Sequence, residues 1–209
     1  MCGGSRSCFG RVPCGSMKKT LPRSSWFGGV FVRTAKVTVL PYDAAWKADF
    51  QAIKAELEAA AGDLLLGIEH VGSTSVEGMS AKPIIDIDAV MESYADFDAL
   101  KARLAAIGYL HEGNLGIKDR EAFCYEGKEH LRKHHLYVCP RNSAELARHI
   151  AFRNFLQSNK EAAAQYSRIK EEAAQLYPND IDGYIRHKAP CIEALYSRIG
   201  LTEAGGAQQ

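Results

Sequence analysis

The chain has 209 residues, of which 46% are hydrophobic and 24% charged, so it has enough apolar material for an ordinary core and is not a disordered or fibrous protein. Residues 1–42 carry seven basic residues and no acidic one, whereas the rest of the chain carries 19 basic and 25 acidic residues. This acidic main part argues against nucleic acid as a partner. No run of about 18 apolar residues occurs, so we expect no membrane-spanning segment.

The cysteines are scattered along the chain. Three of the six fall within the first 14 residues, and the others are Cys124, Cys139 and Cys191. This spacing forms neither a disulfide framework nor a metal-binding knuckle, and it predicts a reducing, cytoplasmic setting. Residues 1–36, rich in Gly, Ser, Arg and Cys, are expected to be disordered. An organellar transit peptide and a translation start at Met17 or later both remain open as explanations of this extension.

The organised domain is expected to cover residues 37–200, followed by a frayed tail over 201–209. An extended piece over residues 37–40 ends at Pro41. A helix is then predicted over 43–60, with an apolar face formed by Trp46, Phe50, Ile53 and Leu57. Strands are expected over 65–71 and over 83–90, on either side of a loop rich in glycine and serine.

The second half begins with a helix whose apolar positions are Phe97, Leu100, Leu104 and Ile107. Three strand-like pieces follow, "GYLHE", "EAFCYEG" and "HHLYVC". From Ser143 onward the pattern predicts three helices, with apolar faces at Leu146, Ile150 and Phe155; at Tyr166, Ile169, Ala173 and Leu176; and at Ile181, Ile185, Ile192, Leu195 and Ile199. Pro190 is expected to kink or interrupt the last helix. The fold class is therefore mixed α/β (α+β), with a helical C-terminal region.

Two aspartates in the second strand carry the strongest chemical signal. Asp86 and Asp88 are two residues apart, so their side chains point to one face of the sheet about 6.6 Å apart, while Ile85 and Ile87 point to the other. Adjacent carboxylates repel each other unless a cation lies between them. The pattern therefore predicts a divalent cation that bridges nucleotide phosphates.

The loop before this strand supplies groups that bind phosphate. Gly72 permits a close backbone approach, Ser73 offers a hydroxyl and an N–H group, and Thr74 and Ser75 are expected to cap a short helix. Lys82 adds a positive charge. When the loop is considered alone, an ordinary turn between a strand and a helix is the more common explanation. Its position before the Asp-x-Asp strand favours a nucleotide site.

The segments "YDAAWKADF", "IEHVGSTSVEGMSAKPIIDIDAV" and "HHLYV" resemble the GrpB family, and through it the nucleotidyltransferase superfamily typified by DNA polymerase β. The resemblance covers residues 37–199. It implies a small mixed sheet flanked by helices. It also implies a nucleoside triphosphate at Gly72 and Ser73, and Mg²⁺ or Mn²⁺ at Asp86 and Asp88.

The superfamily usually has a third carboxylate on a later strand, and here that strand, "HHLYVC", contains none. His135 or His134 takes that place and is expected to complete the catalytic and metal-binding set. A histidine there favours manganese or zinc over magnesium, or acts as a general base, or marks a site that no longer turns over.

Other polar residues carry weaker signals. Arg120 resembles a family arginine and is expected to contact a phosphate or the acceptor, with a surface salt bridge as the alternative. His70 is interpreted as a structural histidine that shapes the loop. Lys188 is a candidate for reaching the cleft. A basic cluster is expected to steer an anionic substrate or to be a solvated loop; its residues are Lys128, Arg132, Lys133 and His134.

Two functions remain open at this stage. One is a metal-dependent nucleotidyltransferase that moves a nucleotidyl group from a nucleoside triphosphate to an unknown small-molecule or protein hydroxyl. The other is a degenerate nucleotide-binding module that regulates or scaffolds a partner. Because domains of this family also occur fused to dephospho-coenzyme A kinase, the second function includes a link to coenzyme A metabolism. The chain lacks a Walker-type phosphate loop and a nucleophile elbow.

Overall fold

A computed structural model describes residues 36–201. The predictions for residues 1–35 and 202–209 lie outside this range. The described part contains five strands, β1 (Gly67–Val71), β2 (Ile85–Met91), β3 (Tyr109–Gly113), β4 (Glu121–Tyr125) and β5 (His134–Pro140). It contains five α-helices, α1 (Ala45–Ala61), α2 (Phe97–Ala106), α3 (Ala144–Ser158), α4 (Lys160–Leu176) and α5 (Ile181–Arg198).

The strands form one mixed sheet in the order β1-β2-β5-β4-β3. Strand β2 pairs antiparallel with β1 and parallel with β5, while β4 pairs antiparallel with both β5 and β3. The parallel register places Asp86 opposite His135 and Asp88 opposite Tyr137. Because paired residues point to the same face, these four polar side chains project from one side of the sheet. The predicted mixed α/β class is confirmed.

The other face of the sheet packs against α1 and α2. Ile85 and Ile87 are fully buried there, as their alternation with the aspartates predicts. The predicted apolar face of α1 is also confirmed, because all four of its residues, Trp46, Phe50, Ile53 and Leu57, are buried in this core. Burying a large apolar side chain stabilises the fold by about 1.5–3 kcal/mol, so this layer holds β2 and β5 in place.

The three C-terminal helices cover the face that carries the aspartates. Their own apolar cluster includes Leu156 of α3, Tyr166 of α4 and Leu195 of α5, and it also takes in Val76 and Met79 from the segment after the Gly-Ser loop. The loop is therefore packed against the helical layer on one side and joined to β1 on the other. The space between this layer and the sheet contains the candidate site.

The buried face of α4 differs from the prediction. Leu176 is 57% exposed, whereas Lys170 is only 2% exposed and lies on the buried side with Tyr166 and Ala173. Helix α5 is not interrupted at Pro190, because it runs without a break from Ile181 to Arg198. No helix among the described residues is long and apolar enough to cross a membrane.

Candidate active site

A cavity of about 170 Å³ lies between the aspartate-bearing face of the sheet and helices α3–α5. The structure brings together most of the residues predicted from the sequence, since the cavity is lined by Gly72, Ser73, Thr74, Lys82, Asp86, Arg120 and His135. Two predicted residues, Ser75 and Asp88, are not part of its wall. The predicted motif therefore lines a real cavity, although its two aspartates differ in access to it.

Asp86 and His135 form a hydrogen-bonded pair at the centre of the wall. His135 Nδ1 lies 2.8 Å from Asp86 Oδ1, and since a carboxylate oxygen only accepts, Nδ1 carries the hydrogen. Burial favours the neutral acid, but the hydrogen bond and charge of His135, with Lys82 and His149, hold the pKa of Asp86 below its usual value. Asp86 is therefore an ionised carboxylate that faces the cavity.

Of the two candidate histidines, His135 rather than His134 lines the cavity beside Asp86. The side chain of His134 points away from the site, where its Nε2 accepts a hydrogen bond of 2.8 Å from the Tyr109 hydroxyl. Its Nδ1 donates to the Arg132 carbonyl, and its ring stacks on Tyr125. Burial lowers the pKa of His134 to about 4, so this histidine is a neutral structural residue.

Gly72 determines how closely the loop approaches Asp86. Its φ of +70° lies in the left-handed region that favours glycine. A Cβ at this position would lie 2.2 Å from Asp86 Oδ2, which is closer than any real contact. The glycine is therefore required both by its conformation and by the space beside this carboxylate oxygen.

The residues after Gly72 form a single 3₁₀ turn, Ser73–Ser75, where the sequence led us to expect a short helix. The expectation that Thr74 and Ser75 cap a helix is wrong. The Thr74 hydroxyl lies 2.9 Å from His70 Nε2, and the Ser75 hydroxyl donates to the Gly72 carbonyl oxygen at 2.6 Å. Both hydroxyls thus stabilise the shape of the loop. His70, stacked on Phe50, has the structural role predicted for it.

Three lysines converge on the same cavity, and we call Lys82, Lys170 and Lys188 the lysine cluster. Lys82 and Lys188 lie over the ring of Tyr184, at 5.8 and 5.1 Å from its centroid, and Lys170 lies over that of Tyr166. Burial lowers the pKa of all three lysines, that of Lys188 to about 7. Neighbouring charges add to this effect, because Lys188 lowers the pKa of Lys170 and Lys82 lowers that of Lys188.

Arg120 is buried, so the alternative of a surface salt bridge is wrong. It is 4% exposed, its guanidinium lies 4.4 Å from the centroid of the Tyr137 ring, and Nη1 is 4.0 Å from Glu145 Oε1. Glu145 also pairs with Arg148. These contacts fix one face of the guanidinium against β5 while the group lines the cavity.

Sequence reasoning missed His149 and Arg153, which reach the site from α3. Arg153 Nη1 lies 2.6 Å from Glu69 Oε2 and 3.1 Å from the His70 carbonyl oxygen. His149 Nδ1 lies 2.7 Å from Asp88 Oδ2. The two residues are four positions apart on a helix and therefore share one face. The four-residue spacing of His149 and Arg153 on α3 was the only sequence signal that could have identified them.

Asp88 is fully buried next to the face of α3 that carries His149. Its Oδ2 accepts from His149, while its Oδ1 is buried with no hydrogen-bond partner among the described residues. His149 also lies 3.2 Å from Glu145 through Nε2. Burial lowers the pKa of His149, but the two carboxylates outweigh this effect and raise it to about 10. A partly buried imidazolium, 21% exposed, therefore accompanies Asp88.

The basic cluster of the sequence lies on the far side of His135. Lys128 and His130 both pair with Glu56, and Arg132 pairs with Asp49 at 2.8 Å. These residues border a second cavity of about 980 Å³, whose wall also includes His135. His135 therefore separates the lysine-lined cavity from a larger, open one.

Within residues 36–201, no group of three or more His, Cys, Asp or Glu side chains is arranged to hold a metal ion by itself. Magnesium commonly binds to one or two carboxylates and completes its shell with substrate phosphates and water. Asp86 fits that chemistry, because it is ionised, is 34% exposed and lines the cavity.

The described chain is thus a five-stranded mixed sheet flanked by helices, with the Gly-Ser loop after β1 and the Asp-x-Asp pair on β2. The model of the GrpB protein family matches residues 36–198, so the chain belongs to the GrpB family. The resemblance seen in the sequence is confirmed.

Individual relatives agree with this assignment. Glutamate-rich protein GrpB of Alkalihalophilus pseudofirmus is 31% identical over 171 residues, 80% of this chain and 98% of that protein. The UPF0157 protein YqkA of Bacillus subtilis is also 31% identical, but the match spans 46% of its length. Dephospho-CoA kinase of Mycolicibacterium paratuberculosis is 28% identical over 47% of its length.

The solved structure of the conserved protein GrpB from Enterococcus faecalis is 33% identical and has a TM-score of 0.66. The likeness covers 77% of this chain and 99% of that one. A more distant structural neighbour is the Cid1 poly(U) polymerase, with 12% identity and a TM-score of 0.48.

Proposed function

We propose that this protein binds a nucleoside triphosphate with its phosphates in the lysine-lined cavity, and transfers a nucleotidyl group to a hydroxyl of a small-molecule or protein acceptor. The observation that carries the proposal is the meeting of Asp86, the Gly72–Ser73 loop and the lysine cluster in one cavity. A complex of a divalent cation with phosphates needs a carboxylate to bind the cation and positive groups to bind the phosphates. The ionised Asp86 and the ammonium groups of the lysine cluster provide both.

The lysine cluster supports a polyanionic ligand. Burying ammonium groups near one another is unfavourable, which is why their pKa values are lowered. A phosphate chain would remove this penalty by providing opposite charge. Whole small-molecule ligands generally occupy about 300–1,000 Å³. The present cavity of about 170 Å³ therefore matches the phosphate chain, and the nucleoside would extend towards its opening.

The residues around Asp86 assign the remaining roles. Asp86 would hold Mg²⁺ or Mn²⁺, which when bound neutralises charge on the phosphates. Gly72 and Ser73 would bring backbone N–H groups to the phosphate oxygens. His135 orients Asp86 through Nδ1 and, in its neutral form, has a basic nitrogen at Nε2. It would accept the proton of the acceptor hydroxyl after a side-chain movement exposes Nε2, which is buried in the described structure, to the second cavity that His135 also borders.

Calorimetric titration with ATP, GTP, CTP and UTP, each with Mg²⁺ or Mn²⁺, tests the binding step. Lys170→Met is expected to weaken the binding of the preferred nucleotide at least tenfold and also to stabilise the fold, because it removes a buried ammonium. Lys160→Met is the matched control, since Lys160 is exposed on the same helix and should change neither. Absence of metal-dependent nucleotide binding, or equal effects of the two variants, would refute the proposal.

Transfer is tested separately with nucleotides labelled at the α-phosphate, incubated with cell extract and the purified chain. A labelled product that is lost in Asp86→Asn supports nucleotidyl transfer. Unchanged labelling in that variant would exclude Asp86 from the reaction.

One observation favours a second function, a nucleotide-binding module without turnover. His135 stands where the superfamily usually has a third carboxylate, and Asp88 is already paired with His149. Nucleotide binding without any labelled product would support this alternative. A link to coenzyme A metabolism rests on the kinase-containing relative, and adding dephospho-coenzyme A as the acceptor in the same assay tests it.

A further inference from the structure

Asp86 and Asp88 are not equivalent as cation ligands, although both project from one face of β2. The Asp86 side chain is 34% exposed and lines the cavity. Asp88 is fully buried and is not part of the cavity wall. A cation that enters with a nucleotide therefore meets Asp86 first.

His149 occupies one side of the Asp88 carboxylate. Its Nδ1 lies 2.7 Å from Asp88 Oδ2, and its Nε2 lies 3.2 Å from Glu145 Oε1. Because carboxylate oxygens accept hydrogen bonds and do not donate them, an imidazole held between two carboxylates carries hydrogen on both nitrogens. The ring thus fills the space next to Oδ2 and also supplies a positive charge there.

We infer that the site holds a single divalent cation, at Asp86, and that the His149 ring takes the place of a second one at Asp88. The inference rests on the proposed function, because it concerns the cation that accompanies the nucleotide. Asp88 Oδ1, which is buried with no hydrogen-bond partner among the described residues, is the Asp88 atom left to share that cation with Asp86.

The surrounding charges agree with this assignment. Glu145, the second partner of His149, also contacts Arg148 and lies near Arg120. The carboxylates behind the cavity wall therefore already have cationic partners from α3 and from Arg120, just before β4. A second metal ion would have to displace His149 and would bring additional positive charge next to these groups, which like charges oppose.

The count of bound cations tests the inference without reference to activity. The full chain is titrated with Mn²⁺ at saturating concentration of an ATP analogue that cannot be cleaved between the α- and β-phosphates. Bound Mn²⁺ is measured by electron paramagnetic resonance and bound nucleotide by calorimetry. We expect one Mn²⁺ per bound nucleotide and a spectrum without coupling between two manganese ions.

Variants of two neighbouring residues on α3 test whether His149 limits the number of bound cations. His149→Ala opens the space beside Asp88 Oδ2, so a second, weaker Mn²⁺ is expected. Arg148→Ala is the matched control, because Arg148 also contacts Glu145 but not Asp88, and it should retain one Mn²⁺. A count that stays at one in His149→Ala would show that His149 does not limit it, and would overturn the inference.

The number of Mn²⁺ ions bound per wild-type chain tests the inference even where His149→Ala does not fold. Two coupled Mn²⁺ ions per wild-type chain overturn the inference and leave the proposed function in place. Bound nucleotide without bound Mn²⁺ also overturns it, since no cation is then held at Asp86. Failure of the analogue itself to bind overturns the proposed function as well, and calorimetry distinguishes this case from the other two.

Discussion

Nucleotide binding should weaken as the pH rises through neutrality, because Lys188 loses its proton in that range. Burial lowers the pKa of Lys188 from 10.5 to about 7, and the Lys82 charge acts in the same direction. A pKa lowered from 10.5 to about 7 corresponds to about 5 kcal/mol of unfavourable free energy for the buried ammonium ion, at about 1.4 kcal/mol for each unit. A bound phosphate chain would recover part of this free energy.

The expected effect follows from the fraction of protonated molecules. With a pKa of about 7, roughly nine tenths of the unliganded chains carry a charged Lys188 at pH 6, and roughly one tenth at pH 8. If the phosphates bind the charged form, the apparent Kd rises about tenfold over these two pH units. For folding the sign is the reverse, since the cost of the buried charge is fully present below pH 7 and disappears as the pH approaches 10.5.

Calorimetric titration of the same nucleotide at pH 6, 7 and 8 measures this slope. The phosphates titrate as well, but their contribution is shared by all variants and cancels when Lys188→Met is compared with the wild type. We expect the apparent Kd of Lys188→Met to lack the roughly tenfold rise between pH 6 and pH 8 that depends on Lys188. Lys160→Met should retain this rise. An identical slope in wild type and Lys188→Met would show that Lys188 does not bind the ligand in its charged form.

Four further variants separate the site from the scaffold. Gly72→Ala and Gly78→Ala both place a side chain at positive φ, and each should lower the free energy of unfolding by about 1–3 kcal/mol. Only Gly72→Ala should abolish nucleotide binding, because a Cβ at Gly78 meets nothing within 4 Å. Glu56→Ala leaves the buried Lys128 unpaired and should destabilise the fold by about 2 kcal/mol with unchanged affinity for nucleotide. Leu136→Ala, in the core, should cost about 2–5 kcal/mol in denaturant unfolding.

The sequence predicted the helices and strands well where one face is strongly apolar. Helix α1 is the clearest case, because its large buried residues recur every three or four positions. Strand β2 is equally clear, with isoleucines on one side and aspartates on the other. The order of the strands was not predicted, since the parallel pairing of β2 with β5 joins segments almost 50 residues apart, and local periodicity carries no information on such contacts.

The lysine cluster shows why part of the site was missed. Lys170 lies on the buried face of α4, next to the small residue Ala173, whereas the apolar Leu176 faces solvent. Hydrophobic spacing correctly placed Tyr166 and Ala173 on the buried face, but it added Leu176 and left out Lys170, because the buried face of a helix that lines a charged cavity also carries charged residues. Lys188 was a candidate only by its position, and His149 carried no local motif. Such residues are identified only by packing.

The same packing couples the Gly-Ser loop to the lysine-bearing helices. Val76 and Met79, which follow the Gly-Ser turn, are buried in the apolar cluster of α3–α5. The Ser80 N–H group donates to Ser167 Oγ at 3.1 Å, one turn before Lys170 on α4. Because the loop and the lysines are fixed to one another, neither can shift without the other, and the geometry of the proposed phosphate site depends on the helical layer as a whole. The helices are thus part of the site, and a chain that kept only the sheet and its Asp-x-Asp motif would lose the cationic half of it.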